Sequence, residues 1–304
     1  MRQVDLGVDI GSLRLSNPVL TASGTFGYGL EFRSFGDISA LGGIVVKGTT
    51  LEPRAGNRPQ RVVETAAGML NSIGLENPGV DYFLTHYLPE LRDLGVTTIV
   101  NMAGNTVEEY CRLTERLQQP GVAALELNIS CPNVKAGGMA FGTSETAVYE
   151  VVGQVKRHTS LPLIVKLSPN VTDIASIAQA AEAAGADAIS LVNTLLGMAV
   201  DTRTRRPILG NVVGGLSGPA IKPVALRMVW QVAQAVRVPV IGLGGIMTAN
   251  DALEFIICGA SAVQIGAANF IEPGTAWQVI DGIASYLREQ GLSSVRELVG
   301  SLQF

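Results

Sequence analysis

The sequence predicts an α/β fold, one (β/α)8 TIM barrel with extended βα loops over its C-terminal face. Eight short Val- and Ile-rich runs are spread along the 304 residues, longer helical patterns lie between them, and none shows clean polar alternation. Runs without alternation suit parallel strands buried on both faces. Strand followed by helix is the grammar of βα units, and eight such units close a barrel. The predicted strands are Pro18 to Ser23, Gly43 to Gly48, Thr97 to Ala103, Ala123 to Ser130, Leu163 to Ser168, Ala188 to Asn193, Val240 to Gly245 and Ala262 to Ala267. Among the helices, Glu145 to His158 sets Val148, Val151, Val152 and Val155 on one face, and the alanine-rich segment Ile174 to Ala184 stops at Gly185. Two connections exceed the minimal barrel: Gly48 to Pro78 after the second strand, and Thr194 to Pro219 after the sixth, with Arg203, Arg205 and Arg206 before Pro207. Long βα connections lie over the C-terminal face, where ligands bind, so both are expected to cover an active site. No linker interrupts the pattern, and residues 1–304 read as a single domain.

Composition narrows the function. With 22 basic and 26 acidic residues the net charge is −4, which offers no cationic field for a phosphate backbone and argues against a nucleic-acid partner. The N-terminus lacks a basic start followed by an apolar run, and no apolar stretch reaches membrane-spanning length, so neither a signal peptide nor a membrane helix is expected. Three scattered cysteines, Cys111, Cys131 and Cys258, make no disulfide framework and point to a reducing, cytoplasmic setting. No pair has C-x-x-C spacing, so no zinc or iron–sulfur centre and no other metal is expected on this chain. His86 and His158 fall within or near the ends of helices and read as structural; Cys111 and Cys258 read as small buried hydrophobes.

The chemistry is expected where the strands end. Those positions are polar: Ser23, Lys47, Asn101, Asn128 to Asn133, Lys166, Asn193 with Thr194, then Gly244 with Gly245 and Gly266 with Ala267. The glycines after strands seven and eight suit a phosphate, since backbone N–H groups can approach an anion there. Thr248 with Asp251 resembles a capping box that starts the next helix and adds partial positive charge beside them. Lys166 closes the apolar run Leu-Ile-Val-Lys and must reach the barrel mouth or a charge partner. It can stabilise negative charge on a reduced flavin or form a Schiff base with a carbonyl substrate, and Lys47 poses the same choice. Cys131, in Ile-Ser-Cys-Pro-Asn, leads into a glycine-containing loop, Lys135 to Gly142, that can act as a lid. At an ordinary thiol pKa roughly 3% is thiolate at neutral pH, a share that nearby cations raise, so the residue suits a base or a nucleophile.

Taken together, the segments NPVLTASGTFGYG (Asn17 to Gly29), MLNSIGLENPG (Met69 to Gly79), ELNISCPNV (Glu126 to Val134), KLSPNVTD (Lys166 to Asp173), GLSGPAIKP (Gly215 to Pro223) and IGLGGI (Ile241 to Ile246) resemble the class 1 dihydroorotate dehydrogenases. The Gly-Thr-Phe-Gly-Tyr-Gly and Asn-Pro-Gly-Val versions are more similar to the NAD-linked class 1B. The resemblance implies FMN held by Ala22, Ser23, Lys47, Gly48, Asn101, Asn128, Lys166, Val192, Gly218, Gly244, Gly245, Gly266 and Ala267. It implies substrate contacts from Lys47, Asn71, Ser72, Ile73, Gly74, Leu75, Asn128, Asn133, Asn193 and Thr194. Cys131 would remove a proton from C5 of dihydroorotate while hydride leaves C6 for FMN N5. Gly266-Ala267-Ala268-Asn269 stands where many relatives have Gly-Thr-Ala-Asn, which loses a hydroxyl contact to phosphate and keeps the backbone donors. A homodimer core joined to an FAD and 2Fe-2S subunit, as a heterotetramer, would pass electrons to NAD; this chain has no G-x-G-x-x-G of its own after a strand. Competing expectations are an FMN dehydrogenase of another dihydropyrimidine, a Schiff-base aldolase using Lys166, and a flavin-storing subunit without chemistry.

Overall fold

The computed structural model of the chain describes residues 4–129 and 141–304. Eight parallel strands close a barrel: β1 (Val19–Thr21), β2 (Gly43–Thr49), β3 (Thr98–Met102), β4 (Val122–Asn128), β5 (Leu163–Lys166), β6 (Ala188–Leu191), β7 (Val240–Leu243) and β8 (Ala262–Ile265). Neighbours pair in chain order, and β8 returns to β1 through Val263 to Val19 and Ile265 to Thr21. Six of the eight predicted runs contain their strands, while β2 runs one residue past its predicted end to Thr49 and β4 starts one residue early at Val122. Residues beyond a strand's end still belong to the ladder where their amides find partners, as Leu167 does on the Ser190 carbonyl at 2.8 Å.

Helices cover the outside: α1 (Leu88–Asp93), continuous with helical turns from Val80, α2 (Val107–Arg116), α3 (Glu145–Arg157), α4 (Ile174–Ala183), α5 (Lys222–Ala235), α6 (Ala249–Ile257) and α7 (Thr275–Glu289). Between β1 and β2 the connection makes two 3-10 turns, Leu30–Phe32 and Ile38–Ala40. Local chemistry sets the ends. Ser144 caps α3 by accepting from the Ala147 amide, and Asp173 caps α4 by accepting from those of Ala175 and Ser176. Val148, Val151, Val152 and Val155 are the buried stripe of α3, as their spacing predicts. His158 is the C-cap of α3 and bonds Glu115 at 2.7 Å. Cys111 is buried; Cys258, at the C-cap of α6, is only half-buried, because the helix ends one residue before it. No helix among the described residues is long and apolar enough to cross a membrane.

The two long connections differ from their expected form. Each carries strands, and they join into one antiparallel sheet in the order Leu195–Met198, Val213–Ser217, Gly68–Asn71, Val62–Thr65. The register sets Gly215 opposite Asn71 and Ser217 opposite Met69. These strands escape a hydrophobic-period reading because close crossings demand glycine: a Cβ at Gly215 would stand 1.9 Å from Thr194 Oγ1. A hairpin, Val8–Ile10 with Leu13–Leu15, precedes β1 and was also not anticipated. Its strands are too short for a period to show.

Lys222, the first residue of α5, ties that helix to the next by contacts to Asp251 at 2.6 Å and Glu254 at 2.9 Å. The Asp251 bond, with Glu254 adding to it against the effect of burial, holds the Lys222 ammonium above its ordinary pKa. Burial pushes the Asp251 carboxyl up, but Lys222 and the Met247 and Thr248 donors outweigh it and leave the pKa below the usual value. A carboxyl with a lowered folded-state pKa stabilises the fold above its unfolded value and loses that contribution as pH falls through the folded one. Asp251→Asn is therefore expected to lower the urea midpoint at about pH 7, with the difference from the parent shrinking toward about pH 3, below the usual carboxylate range. Equal differences at both pH values would contradict the charge argument.

Candidate active site

At the C-terminal mouth lies a cavity of about 330 Å³. Strand ends supply Ser23, Lys47, Gly48, Asn101, Asn128, Lys166, Asn193 and Thr194; the covering sheet and its loop supply Asn71, Ile73, Gly74 and Leu75. Parallel strands all present their C-terminal ends to one side, so residues far apart in sequence converge. Ser72 stands apart from its neighbours. It is fully buried, its amide donates to the Arg61 carbonyl at 2.7 Å, its own carbonyl accepts from Asn57 at 3.1 Å, and it does not line the cavity. Cys131, Asn133 and residues 135–140 of the expected lid lie outside the described residues.

The remaining expected residues form a second group beside the first. Ala22 faces Gly266, Val192 faces Gly244, and Gly218 faces Gly245, each within about 3.5 Å of where a glycine Cβ would stand. Among the described residues, the amides of Gly244, Gly245, Gly266 and Ala267 donate to no other protein group. Four open amides at adjacent strand ends suit an anion. The expected capping box at Thr248 and Asp251 is present. Asp251 Oδ2 accepts from the amides of Met247 and Thr248 at 3.0 and 2.9 Å, and Thr248 Oγ1 accepts from the Asp251 amide at 3.3 Å.

Beneath the cavity the floor is polar. Lys166 Nζ donates to Ser23 Oγ at 3.3 Å and stands 3.6 Å from Glu126 Oε1. Glu126 also accepts from Asn101 Nδ2 at 2.7 Å, Ser190 Oγ at 3.0 Å and Gln264 Nε2 at 2.7 Å. Asn128 Nδ2 in turn donates to Asn101 Oδ1 at 3.3 Å. Sequence reasoning singled out the lysine and both asparagines but passed over Glu126. The available signal was an acidic residue inside the apolar run Val122 to Leu127, two positions before Asn128 and therefore on the same inward face.

Two further asparagines hold the cavity wall. Asn77, 4% exposed, accepts at Oδ1 from the Thr50 and Gly79 amides and donates to the Leu75 carbonyl at 2.8 Å. That bond helps keep Leu75 at φ 59, a left-handed conformation uncommon for a non-glycine residue and seen mostly where surroundings enforce it. Asn170 donates to the Thr194 carbonyl at 3.1 Å and accepts from the Leu196 amide at 3.0 Å, fixing the start of the second excursion. Both lie in segments whose motifs are visible in the sequence, but their role depends on contacts far along the chain.

A closed parallel barrel with a lysine- and asparagine-lined mouth and an adjoining cradle of open amides defines an enzyme of the (β/α)8 class that takes a phosphate-bearing ligand. Within that class the chain belongs to the dihydroorotate dehydrogenase family, whose sequence pattern matches residues 5–287. It is 60% identical over 300 residues to the dihydroorotate dehydrogenase B (NAD(+)) catalytic subunit of Desulforamulus reducens, covering 98% of this chain and 99% of that protein. It is 59% identical to the protein of that name from Geotalea daltonii over the whole of both chains. The Bacteroides fragilis protein, also so named, is 58% identical over 98% of this chain and 99% of its own.

The cradle yields a paired prediction. Gly245 has φ +76, and a Cβ there would meet the Gly218 carbonyl at 2.7 Å, whereas at Gly266 it would rest 3.5 Å from Ala22 Cβ. Gly245→Ala is expected to cost about 1–3 kcal/mol in urea unfolding, and Gly266→Ala well under about 1 kcal/mol. Equal costs would show that the close approach at Gly245 does not constrain the loop.

Proposed function

We propose that this chain is the FMN-binding catalytic subunit of an NAD-linked, class 1B dihydroorotate dehydrogenase and oxidises (S)-dihydroorotate to orotate in pyrimidine synthesis. The observation that carries the proposal is one cavity that gathers Lys47, Lys166, Asn71, Asn101, Asn128 and Asn193. FMN fits the residues present. The open amides of Gly244, Gly245, Gly266 and Ala267 suit its phosphate, with Gly218, Val192 and Ala22 packed against them. Ser23, Lys47, Gly48, Asn101, Asn128 and Lys166 complete its site. When bound, FMN supplies the acceptor for the hydride that leaves substrate C6.

The chain's own side chains do the rest. Lys47 opposes the substrate carboxylate, while Asn71, Asn128, Asn133, Asn193 and Thr194 offer donors and acceptors to the amide edges of the pyrimidine. Ile73, Gly74 and Leu75 close the wall. Cys131 is the base that takes the C5 proton. A Schiff-base reading of Lys166 has less in its favour: an ammonium 3.6 Å from the Glu126 carboxylate is placed as a fixed charge, while an imine-forming lysine needs a neutral amine. Electrons then pass to NAD through a separate FAD and 2Fe-2S subunit, in a cytoplasmic heterotetramer built on a homodimer of this chain; the relatives' names, with NAD(+) and a catalytic subunit, support NAD and a further subunit.

Cys131→Ala is expected to bind FMN and orotate but to reduce its flavin roughly 10²- to 10⁴-fold more slowly in anaerobic stopped flow. Flavin reduction at the parental rate would remove Cys131 from the role of base. Lys47→Ala is expected to weaken orotate by roughly tenfold or more while leaving uracil, which lacks the carboxylate, nearly unaffected. Parallel losses for both ligands would place Lys47 elsewhere than at the carboxylate and favour a different dihydropyrimidine.

A further inference from the structure

Glu126 is wholly buried below the cavity, and the proposed reaction as derived above gives it no part. A buried carboxylate persists only when its charge is opposed and its oxygens are hydrogen-bonded. Here Oε1 takes Asn101 Nδ2 at 2.7 Å and faces Lys166 Nζ at 3.6 Å, while Oε2 takes Gln264 Nε2 at 2.7 Å and Ser190 Oγ at 3.0 Å. The partners come from β3, β5, β8 and β6, so one side chain on β4 links four other strands across the barrel axis. Asn101 and Lys166 line the cavity, and Ser190 and Gln264 lie beneath it.

An ionised carboxylate only accepts hydrogen bonds. Asn101 must therefore turn its NH2 toward Glu126, which leaves Asn101 Oδ1 to accept from Asn128 Nδ2 at 3.3 Å. The orientation of both amides follows from one buried charge. The contact to Lys166 is too long for a hydrogen bond, so Glu126 acts on the ammonium as an opposed charge that holds it in place and offsets part of its field. Two-electron reduction adds negative charge to a flavin, and that charge responds to how much of the Lys166 field is left unopposed.

We propose that Glu126 is a positioning residue for the flavin reaction: it sets the place and effective charge of Lys166 and the amide polarity of Asn101 and Asn128 at the cavity floor. The proposal rests on the FMN reading above. Its test compares the flavin midpoint potentials of the parent, Glu126→Gln, Lys166→Met and the double variant, together with the FMN affinity of each apoprotein measured by flavin fluorescence. Glu126→Gln keeps the shape and removes the charge. It is expected to retain FMN and to favour reduced over oxidised flavin by roughly tenfold, about 30 mV for a two-electron couple. Lys166→Met is expected to lower the potential and to abolish the effect of Glu126→Gln.

An unchanged potential in Glu126→Gln, with only a lower unfolding temperature, makes Glu126 a structural buttress and overturns the proposal. The same shift with and without Lys166 overturns it too, because the carboxylate then acts on the flavin directly. If Glu126→Gln does not fold, Ser190→Ala is read instead. That change strips a donor from Oε2, strengthens the opposition to Lys166 and is expected to lower the potential; no change overturns the proposal. Parent apoprotein that takes up no FMN defeats the functional reading itself, before any variant is compared.

Discussion

Closure of the barrel between β8 and β1 is the constraint on which the rest depends. The Val263–Val19 and Ile265–Thr21 pairing places Ala22 and Gly266 side by side and brings the loop after β8 against the first strand. Without closure, the glycine loop after β8 and the Lys47-bearing β2 would lie toward opposite edges of an open sheet. With it, alternate residues of every strand must point to one axis, and any polar residue at such a position has to find its partners there. The apolar packing of the helices secures the closed form. It does not by itself decide what sits at the mouth.

The interior shows how that requirement is met. In the lower half, Ile99, Ala124, Ile164, Ala188 and Ala262 share the inward face and belong to a continuous buried core. Near the C-terminal ends the same strands carry Glu126, Asn101, Lys166, Ser190 and Gln264, all at least 95% buried. Removing one member of such a set leaves another charge or donor stranded, so the group stands or falls together. A barrel designed for stability alone would fill these positions with branched apolar residues. Polar residues held there at some cost in stability are a mark of function.

The fold was legible where one residue type could satisfy only one environment. Val- and Ile-rich runs without alternation mean strands covered on both faces, and their ends mark the mouth, so Lys47, Asn101, Asn128, Lys166 and Asn193 could be placed together before any coordinates. Legibility failed where a residue's partner lies far along the chain. Gly68–Asn71 and Val213–Ser217 become strands only because each meets the other, and Asn77 matters through Thr50 and Leu75. Glu126 was hidden for a related reason: its partners Ser190 and Gln264 are 64 and 138 residues away. Ser72 shows the converse, since a place within a motif says nothing about which way a side chain turns.

Under the proposed function this chain alone carries out the reductive half of dihydroorotate oxidation. The most direct test is the anaerobic absorbance spectrum of the purified chain, recorded before and after dihydroorotate is added, with no other protein present. The proposed function requires a yellow flavin spectrum that bleaches on mixing and stays bleached until an acceptor is supplied. A flavin that remains oxidised with dihydroorotate, or a colourless protein that cannot be loaded with FMN, would contradict it.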